Sequence, residues 1–174
     1  FCANMTIEMD DTDKLKVLFE DAVKMGLSFE PPHINRGGHR FEPVSNTVIR
    51  YGLGAVRGTG QQAIESIVAA RQAGGDFTSL FDFCVRIDRT RVNKRSVEAL
   101  IKAGAFGSLG STRKGLIAVH LEAIDSVIES KRAEAIGQFD LFGGEAVTAV
   151  SGLDIEVPTG EWDKAMLLSY EREM

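Results

Sequence analysis

Residues 56–67, with the sequence VRGTGQQAIESI, combine a glycine-rich turn with the start of an amphipathic helix. The run Gly58-Thr59-Gly60 supplies two glycines, which adopt positive φ readily and let a ligand approach the backbone closely. The first N–H groups of a helix have no partner within the helix, and the helix dipole adds positive charge there. The N–H groups of residues 60–62 are therefore predicted to bind one phosphate group.

A looser turn of the same kind follows later in the chain, at residues 100–107. Its glycines, Gly104 and Gly107, stand one residue further apart than Gly58 and Gly60, and basic residues flank it. The sequence therefore predicts a tandem pair, of which the second member is the less regular.

The charge of the chain is unevenly distributed. The 174 residues carry 20 Lys and Arg against 25 Asp and Glu, a net charge of −5, yet residues 86–115 carry eight basic and two acidic groups. A local excess of this kind indicates an anionic partner more reliably than the total does, although a solvated surface is the simpler alternative. We call these eight cations the basic block: Arg86, Arg89, Arg91, Lys94, Arg95, Lys102, Arg113 and Lys114.

Hydrophobic periodicity predicts a mainly helical fold, since hydrophobic residues make up 44% of the chain and recur at helical spacing. A small β-hairpin around Ser45-Asn46 is predicted between residues 40 and 51, with Pro43 on an edge strand. The three histidines and two cysteines show no spacing typical of a metal site, and His120 is predicted to be a packed core residue. Helices are predicted after a cap at Asp11 or Thr12, at 61–71, and at 79–85 with Thr78 or Ser79 as cap. Two more are predicted after a cap at Asn93 and from Ser111 or Thr112 to about residue 135.

Residues 138–142, QFDLF, stand in a glycine-containing acidic stretch without periodicity. An exposed Leu-Phe pair in such a stretch is typical of a linear peptide that binds a partner, with Leu141 and Phe142 as anchors and the Gln138 amide as a hydrogen-bonding group. We therefore interpret residues 136–160 as an acidic flexible linker that carries a recognition peptide.

The helix, Gly-x-Gly turn and helix at residues 56–67 resemble the helix-hairpin-helix motif, which binds the DNA backbone and tolerates any base sequence. A plain glycine C-cap followed by a new helix is the alternative. A dinucleotide-binding turn fits less well, because no βαβ unit surrounds the glycines. The QFDLF run resembles the clamp-binding pentapeptide of bacteria, usually Gln-Leu-(Ser/Asp)-Leu-Phe, from which Phe139 departs at the second position.

With these two motifs in this order, nearly the whole chain is similar to the alpha subunit of bacterial DNA polymerase III, the replicative C-family DNA polymerase. Residues 10–14, 25–35, 51–55, 79–84 and 93–106 also carry the resemblance. It implies the end of a fingers domain at 1–48, a tandem helix-hairpin-helix domain at 49–135, the clamp-binding linker at 136–160, and the run-in to an OB domain at 161–174. Because Phe1 is not an initiator Met and the helical pattern still runs near residue 174, we expect a fragment of a longer protein.

The resemblance implies template-directed DNA synthesis in the parent, by two-metal catalysis with Mg²⁺ in a palm domain. For this fragment we expect no catalytic residue, no metal, no cofactor and no activity alone. The expected partners are primer–template duplex DNA, the bacterial sliding clamp and other replisome subunits in the cytoplasm, with no membrane contact. The alternatives are a stand-alone repair or recombination adaptor that links duplex DNA to the clamp, and a helical interaction domain without DNA contact.

The candidate site residues fall into two groups. Candidates for DNA binding are Arg57, Gly58, Thr59, Gly60, Gln61, Lys94, Arg95, Lys102, Gly104, Arg113 and Lys114. Candidates for clamp binding are Gln138, Phe139, Asp140, Leu141 and Phe142.

Overall fold

The computed structural model describes residues 1–135 and 155–173. These residues form seven α-helices and one three-stranded sheet, which confirms the predicted mainly helical fold with a small hairpin. The helices are α1 (Cys2–Ile7), α2 (Thr12–Lys24), α3 (Gln61–Gly74), α4 (Leu80–Arg86), α5 (Lys94–Lys102), α6 (Arg113–Ala135) and α7 (Lys164–Glu173). The strands are β1 (Ser28–Glu30), β2 (Glu42–Pro43) and β3 (Val48–Arg50), and short 3-10 helices lie at Leu53–Ala55 and Gly107–Leu109.

Side-chain caps fix the starts of three helices where the sequence predicted them. Asp11 accepts a hydrogen bond from the Lys14 N–H at 3.1 Å at the start of α2. Ser79 caps α4 at 3.0 Å, and Asn93 caps α5 at 2.9 Å. Each of these bonds satisfies one N–H that the helix itself leaves without a partner, so a local sequence signal was enough to place each start.

The sheet contains the predicted hairpin and one strand that was not predicted. Strand β2 pairs antiparallel with β3 and lies at the edge of the sheet, which confirms the position of Pro43. On the other side β1 pairs parallel with β3, with Phe29 opposite Ile49. This pairing joins residues about twenty positions apart, and a three-residue strand shows too little alternation to be recognised in sequence.

A larger core lies among α3, α4, α5 and α6. At its centre Phe83 makes edge-to-face contacts with Phe77 and Phe106, with 5.0 Å between ring centroids in each pair. His120 is buried on α6 with its Nδ1 2.6 Å from the Ile117 carbonyl oxygen, which confirms it as a packed histidine. This core holds the ends of α3, α5 and α6 in fixed positions relative to one another.

A smaller core joins α1, α2 and the sheet through Met5, Leu15, Phe41 and Ile49. The apolar side chains of α2 are only partly buried, since Phe19 and Val23 remain 38% and 49% exposed. The division between the two cores does not coincide with the predicted domain boundary between residues 48 and 49. Ile34 precedes that boundary but belongs to the larger core, and Ile49 follows it but belongs to the smaller. That boundary stays a prediction.

Residues 155–163, which we call the strap, pack against the larger core. The side chains of Ile155 and Val157 lie on it, and Trp162 contacts Tyr170 of α7 with 4.7 Å between ring centroids. Two residues of the predicted linker, Ile155 and Val157, therefore cover part of the larger core, while the bounds of the linker stay a prediction. Residues 136–154, including the predicted clamp-binding peptide at 138–142, lie outside the described residues. Among the described helices, none is both long and apolar enough to cross a membrane.

Candidate nucleic-acid interface

The first hairpin, residues 56–60, joins the 3-10 helix at Leu53–Ala55 to the start of α3. Gly58 has a φ of +83°, so the turn itself requires glycine at this position. Gly60 differs, because its φ of −84° and ψ of 158° are open to any residue. Among the described residues, no heavy atom lies within 4 Å of a Cβ placed on Gly60. The fold therefore does not require glycine at position 60, whereas close approach of a ligand would.

The start of α3 presents N–H groups in the predicted way. The Gly60 carbonyl accepts from the N–H groups of Ala63 and Ile64, at 3.0 and 3.2 Å, so helical bonding begins with those two donors. Within the described residues no side chain caps this helix. The N–H groups of residues 60–62 are thus available to an anion at the positive end of the helix dipole.

Thr59, a candidate for DNA binding, has its side chain inside the turn. Its side chain is buried, and its hydroxyl lies 2.9 Å from the Leu53 carbonyl oxygen and 2.6 Å from that of Val56. A hydroxyl has one proton to donate, and these two carbonyls share it. The Thr59 side chain therefore stabilises the turn from inside and does not face a phosphate.

The first hairpin borders two cavities that it shares with α5. One, of about 610 Å³, is lined by Gly60, Gln61, Arg91 and other residues at the starts of α3 and α5. The other, of about 510 Å³, is lined by Arg57, Arg95 and Lys102. Three of the predicted basic contacts, Arg57, Arg95 and Lys102, are thus brought together beside the turn, where Lys102 is paired with Glu98 at 2.7 Å. Arg91, a member of the basic block that was not selected as a site residue, lies there as well.

A contact with α5 holds this arrangement in place. The Ser96 hydroxyl donates to the Gly58 carbonyl oxygen at 2.9 Å, and Ser96 is itself buried at the first turn of α5. Arg57 is exposed and donates to the Thr12 hydroxyl at 2.7 Å, which links the hairpin to α2. Gln61 is also exposed, with its amide nitrogen 2.7 Å from a Glu65 carboxylate oxygen.

The structure divides the basic block by the partners of its members. Arg86 donates to the carbonyl oxygens of Ala70 and Gly75 at the end of α3, and Arg89 donates to that of Ile124. These two guanidinium groups therefore hold helices together. Lys94 forms an exposed ion pair with Asp125 at 2.6 Å. Exposed pairs of this kind are worth about 0–1 kcal/mol, so a phosphate can replace the carboxylate.

The second hairpin, residues 103–112, is only partly like the first. Gly104 has a φ of +83°, equal to that of Gly58. The chain then forms the 3-10 helix at Gly107–Leu109, and Gly110 supplies the second positive φ, of +78°, before α6 begins. Gly107 thus does not correspond to Gly60. The side chain of Arg113 lies against Gly104, where a Cβ would come within 2.5 Å of the guanidinium nitrogen.

A carboxylate from the strap lies at the start of α6. Glu161 accepts from the Arg113 N–H at 2.8 Å through Oε2 and from the Lys114 N–H at 3.1 Å through Oε1. Loss of solvent raises the pKa of Glu161, but the N–H groups of Trp162, Lys114 and Arg113 and the charge of Arg113 outweigh this, so the pKa lies below its usual range. The second hairpin therefore has an anion at its helix start, supplied by the chain itself.

Comparison with known families agrees with this geometry. Residues 26–116 match the family model described as the helix-hairpin-helix motif, and because this is more than half of the chain, the chain belongs to that family. Over 95% of its length it is 47% identical to the DNA polymerase III subunit alpha of Mycobacterium leprae and 46% identical to that of Mycobacterium tuberculosis. Over 98% of its length it is 43% identical to the subunit of the same name from Vibrio cholerae. These matches confirm the resemblance identified in the sequence. The chain spans 14% to 15% of the length of these relatives.

Proposed function

We propose that this chain binds the sugar-phosphate backbone of duplex DNA, with the first hairpin as the main contact. The observation that carries this proposal is the start of α3, where Gly60 leaves open space beside three available N–H groups. Arg57, Arg91 and Arg95 line the cavities on either side and add positive charge. N–H groups at a helix start bind phosphate oxygens, which carry no base information, so we expect binding that is independent of DNA sequence.

The parent protein that we propose is a replicative DNA polymerase of the DNA polymerase III alpha type, with primer–template duplex as the ligand of this region. Similarity along 95% to 98% of the chain to subunits of that name supports this over a stand-alone repair adaptor. In such an enzyme Mg²⁺ would serve nucleotide addition in a palm domain, and the residues described here would hold the duplex.

We also propose that residues 138–142 attach the parent to the bacterial sliding clamp. The support for this proposal is the sequence QFDLF and its position directly after the helical domain. Leu141 and Phe142 would enter an apolar pocket, and Gln138 would make amide hydrogen bonds at its edge.

The DNA-binding proposal is tested by the salt dependence of duplex binding. Because phosphate contacts release counterions, log affinity should fall linearly with log salt concentration. Arg95 is exposed beside the first hairpin, so Arg95→Gln should weaken binding and reduce the slope by about one unit. Fluorescence anisotropy with a labelled duplex, begun at low salt because the chain is acidic overall, measures both quantities.

Arg132→Gln is the matched control, since Arg132 is an exposed arginine in the last turn of α6. It removes the same charge from the C-terminal end of a different helix and should leave the slope unchanged. Equal slopes for the Arg95 and Arg132 variants would contradict a phosphate contact at Arg95. A duplex signal that does not depend on salt would favour the interaction-domain alternative.

A further inference from the structure

The strap places a carboxylate where the second hairpin would meet a phosphate. We propose that Glu161 is an internal substitute for a DNA phosphate at the start of α6, and that the strap and α7 thereby restrain duplex binding until the duplex displaces them. This inference rests on the proposed function, since it assumes that both hairpins face DNA. It assigns a regulatory role to a segment that the sequence indicated only as a linker and a following helix.

The geometry of Glu161 is that of a bound anion. Its two carboxylate oxygens accept from two successive N–H groups, those of Arg113 and Lys114, at 2.8 and 3.1 Å. A phosphate at a helix start uses the same kind of donors, namely N–H groups without a partner within the helix, backed by the helix dipole. Glu161 and a DNA phosphate therefore cannot bind these two N–H groups together.

The first turn of α6 is shaped to receive the strap. The Thr112 hydroxyl lies 2.9 Å from the Gly160 carbonyl oxygen and 3.3 Å from that of Pro158. A Cβ on Gly115 would collide with the Pro158 carbonyl oxygen, so this helical position must be glycine for the strap to lie where it does. The absence of a side chain at Gly115 is therefore what allows the strap to approach this turn of α6.

Residues of α7 also contact the cations beside the second hairpin. Glu171 forms a 2.7 Å ion pair with Arg113, and the Lys102 ammonium lies 5.0 Å from the ring centroid of Tyr170. Glu173 lines the cavity that Arg57 and Arg95 also line. Residues 161–173 thus bring acidic and aromatic partners to cations that were predicted to contact DNA.

The contacts of the strap with α6 are weak enough for a DNA duplex to displace them. The Glu171–Arg113 pair is partly exposed and Glu161 is exposed, so salt and water screen both. A duplex that is already bound at the first hairpin presents its next phosphates at a high effective concentration. We therefore expect the duplex to displace the carboxylate, at a cost that lowers the affinity of the unaltered chain.

The direct test compares duplex binding by Glu161→Gln and by the unaltered chain. A carboxylate at a helix start commonly contributes enough for its loss to change an equilibrium by roughly two- to tenfold, so Glu161→Gln should bind the duplex tighter by about that factor. Glu156→Gln is the matched control, because Glu156 is an exposed acid of the same strap and its replacement changes the net charge equally. It should bind like the unaltered chain.

A second variant opens the same site without changing any charge. Gly115→Ala should push the strap from α6, so it should tighten duplex binding in the same direction as Glu161→Gln. Trp162, the one tryptophan of the chain, reports the state of the strap because it contacts Tyr170 and is next to Glu161 in the chain. Duplex added to the unaltered chain should shift its tryptophan emission toward that of Glu161→Gln.

A variant of the first hairpin, Gly60→Val, distinguishes a failure of this inference from a failure of the proposed function. If Gly60→Val weakens binding but Glu161→Gln and Gly115→Ala bind like the unaltered chain, the inference is wrong and the proposed function stands. If Gly60→Val and the unaltered chain give the same duplex affinity, or neither binds, both are wrong. Tighter binding by both Glu161→Gln and Glu156→Gln would be a net-charge effect and would also overturn the inference.

Discussion

Replacing Gly60 by valine should weaken duplex binding by roughly ten- to a hundredfold and leave the fold intact. The side chain would stand in the open space beside the N–H groups of residues 60–62 and keep a phosphate from approaching them. A hydrogen bond to a charged group is worth about 1.5–3 kcal/mol, and losing that much corresponds to the stated range. Anisotropy titrations with a labelled duplex measure the loss directly.

The structure predicts that this substitution changes the binding surface and has little effect on the fold. Gly60 has ordinary extended dihedral angles, and a Cβ there would meet no neighbour within 4 Å among the described residues. Because Gly60 is the N-cap of α3, where valine is less favourable than glycine by about 1 kcal/mol, the thermal unfolding midpoint should fall by only a few degrees. Gly58→Ala would be a poor choice for the same test, because the φ of +83° at Gly58 makes any side chain there strained.

Two comparisons decide the result. Two duplexes of unrelated sequence should lose affinity by the same factor, because backbone contacts carry no base information. Gly107→Val introduces the same side chain at an exposed glycine that also has open space around it, but in the second hairpin, and its effect should be smaller. An unchanged affinity for a folded Gly60→Val protein would remove the first hairpin as the phosphate site.

The sequence predicted those parts of the fold that depend on neighbouring residues. Caps at Asp11, Ser79 and Asn93, and the turn at Gly58, all act through residues within a few positions of themselves. Helix α1 was missed because it has six residues and no side-chain cap among the described residues. Strand β1 was missed because its pairing with β3 depends on a distant part of the chain.

The candidate site was predicted in outline, and the errors have physical causes. Counting cations could not separate Arg86 and Arg89, which bind backbone carbonyls, from Arg95, which lies beside the first hairpin. Glycine spacing could not reveal the 3-10 helix that sets the second hairpin apart, nor that Thr59 faces inward. The strap was missed because Glu161 reaches Arg113 from almost fifty residues away, which no local pattern encodes.

The largest expected effect concerns the clamp-binding peptide, which the sequence alone supports. Combined Leu141→Ala and Phe142→Ala should weaken binding to a bacterial sliding clamp by more than about a hundredfold. Interface anchors of this type typically contribute 2 kcal/mol or more each, and losses at neighbouring anchors are seldom fully additive. Surface plasmon resonance with immobilised clamp compares the unaltered and doubly substituted chains.

Two control variants separate anchor loss from general changes in the surface. Asp140→Ala should matter far less, because a charge at the rim of an interface is screened and only partly desolvated. Leu121→Ala removes a leucine side chain that is 48% exposed on α6, and it should leave clamp binding unchanged. The double substitution should leave duplex affinity unchanged, because the first hairpin lies in the helical domain and not in the peptide.

In the proposed parent polymerase, the same double substitution should shorten the DNA made per binding event and leave the rate of nucleotide addition unchanged. A clamp that encircles DNA keeps its attached partner at a high effective concentration near the primer end, so losing the attachment acts on dissociation and not on chemistry. Primer extension with a trap for released enzyme distinguishes the two quantities. Equal clamp responses from the unaltered and doubly substituted chains would show that the peptide match is accidental, and the proposed link to replication would then depend on the helical domain alone.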